Sequence, residues 1–205
     1  MTCTVFVEGG GMSKDLRSRC RDGFASFLKK LNLAGRSPKV IACGTRADTF
    51  KRLCIALRDD ATGAYVLLVD SESVVSAGKS VWEHVREREG DNWQRPSNAQ
   101  DGHLHFMAVC MESWLVADSE SLGKFYGKNF AINALPKTAD LELESVDKET
   151  LVSALRSATR DTAKGAYSKG KISFAALGAI DASVVSQRMS FCKRFIQKLQ
   201  GAATQ

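Results

Sequence analysis

The chain has 205 residues, of which 44% are apolar and 25% are charged, and its formal net charge at pH 7 is +6. This composition is typical of a globular protein and excludes a disordered or fibrous chain. No apolar run approaches the roughly 20 residues that cross a bilayer. Residues 1–7 lack the basic and long apolar segments of a signal peptide. We therefore predict a cytoplasmic protein with no membrane segment.

Six cysteines lie at positions 3, 20, 43, 54, 110 and 192. None makes a C-x-x-C pair, and their spacing fits no zinc site. Each lies within an apolar segment, so we predict buried thiols in a reducing compartment.

The positive charge is unevenly distributed along the chain. Residues 147–205 carry ten Lys or Arg and four Asp or Glu, so the whole excess of six lies in the last third. A basic segment of this kind indicates a polyanionic partner, although a merely soluble surface would have the same composition.

The first strand and helix surround a run of glycines. A short β-rich run over residues 2–7 is cut by Gly9, Gly10 and Gly11. Apolar residues at helical spacing follow, with Ser13 as the predicted N-cap and Gly35 as the predicted end of the helix. They are Leu16, Cys20, Phe24, Phe27, Leu28 and Leu31.

The alternation continues through the first half of the chain. A second strand over 39–42 stops at Gly44, and a second helix covers 50–57. The continuous apolar run over 64–69 is typical of a parallel strand covered on both faces. A weaker helix over 79–89 follows.

After a polar loop over 90–102, a possible fourth strand covers 104–110 and a helix covers 111–117. This β-α-β-α-β order predicts an α/β domain with a parallel sheet over residues 1–126.

The remainder is predicted to be a basic helical extension, residues 127–205, packed on the same domain. Its first part, 127–146, is irregular, with Pro136 and the acids Asp140, Glu142 and Glu144. The rest shows apolar residues at helical spacing.

Glu8 stands at the end of the first strand, where a glycine turn opens the first helix. The turn is formed by Gly9, Gly10 and Gly11, and Lys14 follows it. Backbone N–H groups in such a turn can approach a phosphate, and Lys14 can contact it. The segment fits neither the P-loop nor the G-x-G-x-x-G pattern. A tight turn alone would also explain the glycines.

Asp70 and Glu72 follow the third strand. In a 2-1-3 strand order the first and third strands are neighbours, so Glu8, Asp70 and Glu72 would converge at the carboxyl edge of the sheet. Three converging carboxylates repel one another unless a hard cation lies between them, and Mg²⁺ near phosphate oxygens supports phosphodiester chemistry. The alternative is that Asp70 and Glu72 are solvated loop acids.

These motifs resemble a known family. An E-G turn after the first strand and an acid-x-acid pair after the third resemble the TOPRIM domain of primases, topoisomerases and OLD-type nucleases. The resemblance is closer to a bacterial family of domains of unknown function, number forty-two seventy-six, related to the RloB-like proteins, and it covers about residues 5–199. The matching segments are VEGGG-x-SK (7–14), IACG (41–44), LLVDSE (67–72), CMESWLVAD (110–118), KFYG (124–127), ALP (134–136) and Tyr167-x-Lys169-Gly170.

The resemblance implies a small TOPRIM-like parallel sheet and a Mg²⁺- or Mn²⁺-dependent nuclease subunit of an antiphage defence complex, controlled by an ABC- or SMC-like ATPase. Glu8 would be the general acid/base or a metal ligand, and Asp70 and Glu72 would bind the metal. Glu112, in the CMExW segment, would orient a ligand or cap a helix. DNA and RNA both remain open as the substrate.

The chain departs from the family pattern at two positions. Met12 stands where an aspartate commonly follows the three glycines, and a thioether suits Mg²⁺ poorly. Glu72 replaces the aspartate of broader TOPRIM proteins but keeps the charge. The rival expectation is therefore a non-catalytic adaptor or sensor that docks on the ATPase.

A basic stretch in the last third is the predicted nucleic-acid contact, although a solvated helix face would look similar. It consists of Arg156, Arg160, Lys164, Lys169 and Lys171.

Overall fold

The computed structural model describes residues 2–31, 33, 37–137 and 140–204. Four strands form one parallel sheet: β1 (Thr4–Gly10), β2 (Lys39–Gly44), β3 (Tyr65–Asp70) and β4 (Leu104–Met107). Their order across the sheet is β2-β1-β3-β4, and every pairing is parallel. The predicted α/β class is confirmed, with the first and third strands as neighbours. The chain winds outward in both directions from this central pair, which is where ligands bind in open α/β sheets.

Five helices follow the strands in the first part of the chain: α1 (Lys14–Lys29), α2 (Arg46–Asp59), α3 (Val81–Glu87), α4 (Met111–Ala117) and α5 (Ser119–Tyr126). Four more come later: α6 (Lys148–Thr159), α7 (Lys171–Ala179), α8 (Ala182–Arg188) and α9 (Ser190–Thr204).

The start of α1 is as predicted. The Ser13 hydroxyl accepts a hydrogen bond from the backbone N–H of Leu16 at 3.2 Å, which confirms the N-cap. The helix ends at Lys29, and the predicted stop at Gly35 lies outside the described residues.

Several segments differ from the sequence prediction. The fourth strand, expected over 104–110, ends at Met107, and residues 108–110 lead into α4. β1 runs past residue 7 to Gly10, because the glycine segment still pairs with β2, although Glu8, Gly9 and Gly10 all lie opposite Gly44. The helix α5 was not predicted, since its only buried side chains are Leu122 and Tyr126, too few for a clear periodic signal.

Short 3-10 helices occupy part of the segment predicted to be irregular. They cover Ile132–Ala134 and Asp140–Ser145. The side chains of Asp140 and Glu142 lie outside the described residues. The Glu144 carboxylate accepts hydrogen bonds from the Ser190 hydroxyl and, at 2.8 Å, from the backbone N–H of Phe191. Glu144 therefore holds the start of α9.

The sheet is covered on both faces, as the apolar run of β3 predicted. Alternate residues of β1 enter two buried clusters: Val5 and Val7 pack with α1 and the C-terminal helices, and Phe6 packs with α2 and α3. The first cluster includes Leu151 and Phe195, so the C-terminal helices share a core with the sheet. The division after residue 126 stays a prediction.

Two chemical expectations concern the cysteines and the membrane. All six cysteines are free, and five are buried while Cys54 is partly exposed. In the part of the chain that the structure describes, no helix has both the length and the apolar character needed to cross a bilayer.

Candidate site at the carboxyl edge of the sheet

A cavity of about 440 Å³ lies at the carboxyl ends of β1 and β3. The two strands are adjacent and parallel, so the residues that end them face the same space. Eight of the predicted site residues line this cavity: Glu8, Gly9, Gly10, Gly11, Asp70, Glu72, Glu112 and Lys169. Met12 also lines it, with 83% of its surface exposed.

The glycine turn is tight at Gly10. Its φ is +82°, and a Cβ built there would lie 2.5 Å from the backbone nitrogen of Arg17. A side chain at this position would therefore collide with α1, which only glycine avoids. The turn brings the start of α1 against the cavity wall.

Arg46, the first residue of α2, holds Glu8. Its Nη1 atom lies 3.2 Å from Oε2 of Glu8 and donates to the carbonyl oxygen of Asp70 at 2.6 Å. Nε and Nη2 donate to the Asp91 carboxylate at 2.7 and 2.8 Å, and the guanidinium lies 4.9 Å from the ring centroid of Trp93. Arg46 thus joins the ends of β1 and β3 to the loop after α3. Burial raises the pKa of Glu8, although Arg46 opposes this effect.

Asp70 is tied to α4 and to α6. Its Oδ1 accepts the backbone N–H of Met111 at 2.9 Å, and its Oδ2 lies 3.8 Å from Nζ of Lys148. Burial, followed by repulsion from Glu8 and Glu112, holds the pKa of Asp70 well above its usual range. The site therefore destabilises the ionised form of this carboxyl group.

Glu72 adopts a left-handed backbone conformation, with φ of +64°. Its backbone N–H donates to the carbonyl oxygen of Val109 at 2.9 Å, and its Oε2 accepts from Lys148 at 2.6 Å. Left-handed backbone at a residue other than glycine is uncommon and is found more often at functional sites.

Glu112 is almost fully buried, with 2% of its surface exposed. Its Oε1 accepts the Tyr167 hydroxyl at 2.7 Å and lies 3.4 Å from Nζ of Lys169. Burial favours the protonated form, but Lys169 and the hydrogen bonds from Tyr167 and Cys110 outweigh it, so the pKa of Glu112 is lowered. Glu112 thus contributes a negative charge to the cavity wall.

The donor set fits a hard cation, because carboxylate oxygens are the ligands that Mg²⁺ and Mn²⁺ prefer. Within the described residues, no group of three or more His, Cys, Asp or Glu side chains is arranged to hold a metal ion. Instead the Lys148 ammonium contacts both Asp70 and Glu72. A cation that binds both carboxylates must therefore displace Lys148.

Comparison with known proteins agrees with the motifs in this cavity. A family model, described as Domain of unknown function (DUF4276), matches residues 7–200. The chain belongs to this family. No curated protein and no solved structure matches this chain significantly. Because the family is described only as one of unknown function, the chemistry of this DUF4276 member must be argued from its own residues.

The predicted phosphate contacts do not all reach the cavity. Lys169 lines it, whereas Lys14 lines a neighbouring groove between α1 and β2. The other C-terminal cations have separate surroundings. Arg156 shares a shallow groove with Lys148, Arg160 pairs with its neighbour Asp161 at 3.6 Å, Lys164 lies 5.1 Å from the ring centroid of Phe125, and Lys171 shares a groove with Arg19.

Sequence reasoning missed Arg46, Asp91 and Lys148. Arg46 had a usable signal, since it follows Gly44 and Thr45 at the carboxyl end of β2, the edge already predicted to carry the site. Lys148 had none, because it lies 76 positions from Glu72 in the chain.

Proposed function

We propose that the chain is the nuclease subunit of a bacterial antiphage defence complex and hydrolyses phosphodiester bonds of DNA or RNA with Mg²⁺ or Mn²⁺. The observation that carries the proposal is that Glu8, Asp70 and Glu72 line one cavity beside the glycine turn. Burial and repulsion raise the pKa of Asp70. A bound divalent cation would relieve this repulsion, so the cavity favours one.

Each charged residue has a role in this reaction. A cation held by Asp70 and Glu72 would stabilise the charge that develops on the phosphate oxygens. Glu8 would accept the proton of the attacking water or serve as a further ligand, and Arg46 keeps it oriented toward the cavity. Lys169, which lines the cavity, would donate to a phosphate oxygen.

We further propose that an ABC- or SMC-like ATPase controls the subunit and that the complex works in the cytoplasm. The partner is implied by the family resemblance. The six free cysteines support a reducing compartment. We expect little or no nuclease activity from the isolated chain, because Lys148 neutralises part of the charge that a metal ion requires and has to be moved first.

Metal binding is the direct test. Calorimetry with Mg²⁺ or Mn²⁺ should give a binding isotherm that Asp70→Asn weakens by at least about tenfold, since one ligand charge is lost. Glu89→Gln is the matched control, because Glu89 is exposed and lies outside the cavity. Equal binding by the parent and Asp70→Asn, with both proteins folded by thermal melting, would sink the metal assignment.

A non-catalytic adaptor or sensor that docks on the ATPase is the second candidate. The observation that favours it is the Lys148 ion pair, which already compensates Asp70 and Glu72 without a metal ion. Phage-protection assays distinguish the two functions. If Glu8→Ala still protects cells and the parent complex cleaves no nucleic acid, the chain is an adaptor.

Met12 offers a second test of the proposed metal site. Its side chain lines the cavity and is exposed, so an aspartate placed there can reach a bound cation through water. Met12→Asp should tighten Mg²⁺ binding and raise any cleavage by the chain, alone and with the ATPase. If neither quantity changes, the methionine is not what limits the site.

A further inference from the structure

A groove of about 430 Å³ runs between α1 and the strand β2. Four cations and no acidic residue line it: Lys14, Arg17, Arg21 and Lys39. The remaining lining residues are Ser18, Val40, Ile41 and Ala42. This groove is separate from the candidate site and contains none of the cations in the basic stretch of the last third.

The cations of α1 share one face because they recur at helical spacing. Lys14, Arg17 and Arg21 are three and four residues apart, which places them along the same side of the helix. Lys39 opens β2, which in the described part of the chain pairs only with β1 and therefore lies at the edge of the sheet. Together they form a line of positive charge between the helix and the edge of the sheet.

Three of these charges are not compensated within the described part of the chain. Arg21 contacts Asp22 and the hydroxyl of Ser18, each at 3.0 Å. Within the described residues Lys14, Arg17 and Lys39 form no ion pair with an acidic side chain. A row of cations without acidic partners along a groove attracts an extended polyanion.

The groove leads to the cavity. Lys14 directly follows Met12 and Ser13, which line the cavity, so the two surfaces meet at the start of α1. Arg17 lies against the glycine turn, since a Cβ at Gly10 would come within 2.7 Å of its Cγ. A chain of phosphates lying in the groove would therefore reach the carboxylates around the turn.

We propose that the groove between α1 and β2 binds the phosphate backbone of a nucleic-acid strand and leads it into the cavity. This inference rests on the proposed function for the identity of the polyanion. It assigns the main nucleic-acid contact to α1 and β2 rather than to the basic stretch of the last third.

Fluorescence anisotropy of the full chain with labelled single-stranded and duplex oligonucleotides, without metal, tests the proposal. Lys14→Gln, Arg17→Gln and Lys39→Gln combined should weaken binding at least about tenfold at low salt. The slope of log affinity against log salt should become shallower by about 2 to 3, because each of the three phosphate contacts contributes about 0.7 to 0.9.

Two control variants separate position from net charge. Lys51→Gln, Arg58→Gln and Lys128→Gln combined remove the same charge from exposed sites outside the groove and should leave the slope unchanged. Lys14→Arg, Arg17→Lys and Lys39→Arg combined keep the charges and should keep the binding. Thermal melting confirms that each variant is folded.

The possible failures are distinguishable. If the parent binds no oligonucleotide, or if only Arg156→Gln, Arg160→Gln and Lys164→Gln combined flatten the slope, the groove assignment is overturned. Binding with little salt dependence overturns it too, because contacts to the phosphate backbone would then contribute little to the affinity. If the parent protein neither binds a metal ion nor cleaves nucleic acid, while the groove variants behave as expected, the proposed nuclease function is overturned. The proposal that the groove binds nucleic acid then still stands.

Discussion

The Nη1 atom of Arg46 lies 3.2 Å from Oε2 of Glu8 and 2.6 Å from the carbonyl oxygen of Asp70. One guanidinium therefore holds the residues that end both central strands. The same group is bound on its other side by Asp91, whose side chain is 2% exposed. The position of Glu8 in the cavity thus depends on a contact between α2 and the loop after α3.

Replacing Arg46 should affect the ionisation of Glu8. Burial raises the pKa of Glu8 and Arg46 lowers it, so Arg46→Gln should raise this pKa further. If metal binding or cleavage needs an ionised Glu8, its decrease at acidic pH should begin at a higher pH in Arg46→Gln than in the parent. Unfolding should also become easier by roughly 1–3 kcal/mol, because the buried Asp91 loses a partner.

Arg88→Gln is the matched control for this prediction. Arg88 lies 3.0 Å from Asp91 and forms no ion pair with Glu8 among the described residues. Arg88→Gln should therefore lower the stability of the protein without changing the pH at which metal binding or cleavage falls. If Arg46→Gln also leaves that pH unchanged, Arg46 only stabilises the fold.

Lys148 should compete with a divalent cation. Lys148→Met removes the ammonium that contacts Glu72 at 2.6 Å and Asp70 at 3.8 Å. At pH 8 we expect Mg²⁺ to bind at least about tenfold more tightly, because the cation no longer displaces a positive charge. The loss of Lys148 should also raise the pKa of Asp70 further, so the gain should shrink as the pH falls.

Lys148→Arg retains the charge and should bind Mg²⁺ like the parent in the same calorimetric titration. Weaker binding by Lys148→Met than by the parent would show the opposite role, in which Lys148 orients the two carboxylates for the metal.

His105 should make the protein less stable in acid. Burial lowers the pKa of His105 to about 3, from 6.5 in the absence of burial. The unfolded chain therefore binds a proton that the folded chain rejects between these two values, and stability falls as the pH falls through this window. By pH 4.5, two units below 6.5, the loss from this group should be about 3 kcal/mol, because each unit costs about 1.4 kcal/mol.

His105→Phe tests this assignment, since Phe cannot titrate and can keep the ring contact with Phe195. Urea unfolding at pH 8 gives the intrinsic cost of the substitution. Relative to that value, the variant should lose less stability than the parent between pH 6.5 and pH 4.5. Parallel pH profiles of the two proteins would exclude His105 as the source.

Gly23 allows α1 and α7 to approach closely. A Cβ at this position would lie 2.4 Å from the carbonyl oxygen of Phe174, an atom of the backbone that cannot turn aside. Gly23→Ala should destabilise the protein by roughly 1–3 kcal/mol. It should also disturb the cavity, because Ser173 and Phe174 line it.

Gly201→Ala in α9 is the control, since among the described residues a Cβ there meets no atom within 4 Å outside the backbone of its own helix. It should be neutral or stabilise the helix by up to about 1 kcal/mol. Thermal melting of both variants is sufficient. Equal melting temperatures for parent and Gly23→Ala would show that the two helices can move apart without cost.

Local sequence patterns were sufficient to predict the layered α/β fold and the acidic residues of the candidate site. Alternating strand and helix patterns predicted a parallel sheet, and in such a sheet the strands end at one edge. This rule, together with an assumed 2-1-3 strand order, predicted that Glu8, Asp70 and Glu72 lie together, and all three line the cavity. The glycine turn and the Ser13 cap were also predictable, because each depends on residues that are close together in the chain.

The pairing of charged side chains, in contrast, depends on how distant segments pack together. Lys148 contacts Glu72 across 76 positions, and Arg46 contacts Asp91 across 45. Local patterns carry no information about such pairs, because the packing of whole helices determines which side chains approach. The same packing separates the C-terminal cations, which look continuous in sequence, and lines up Lys14, Arg17 and Lys39, which are spread over two elements.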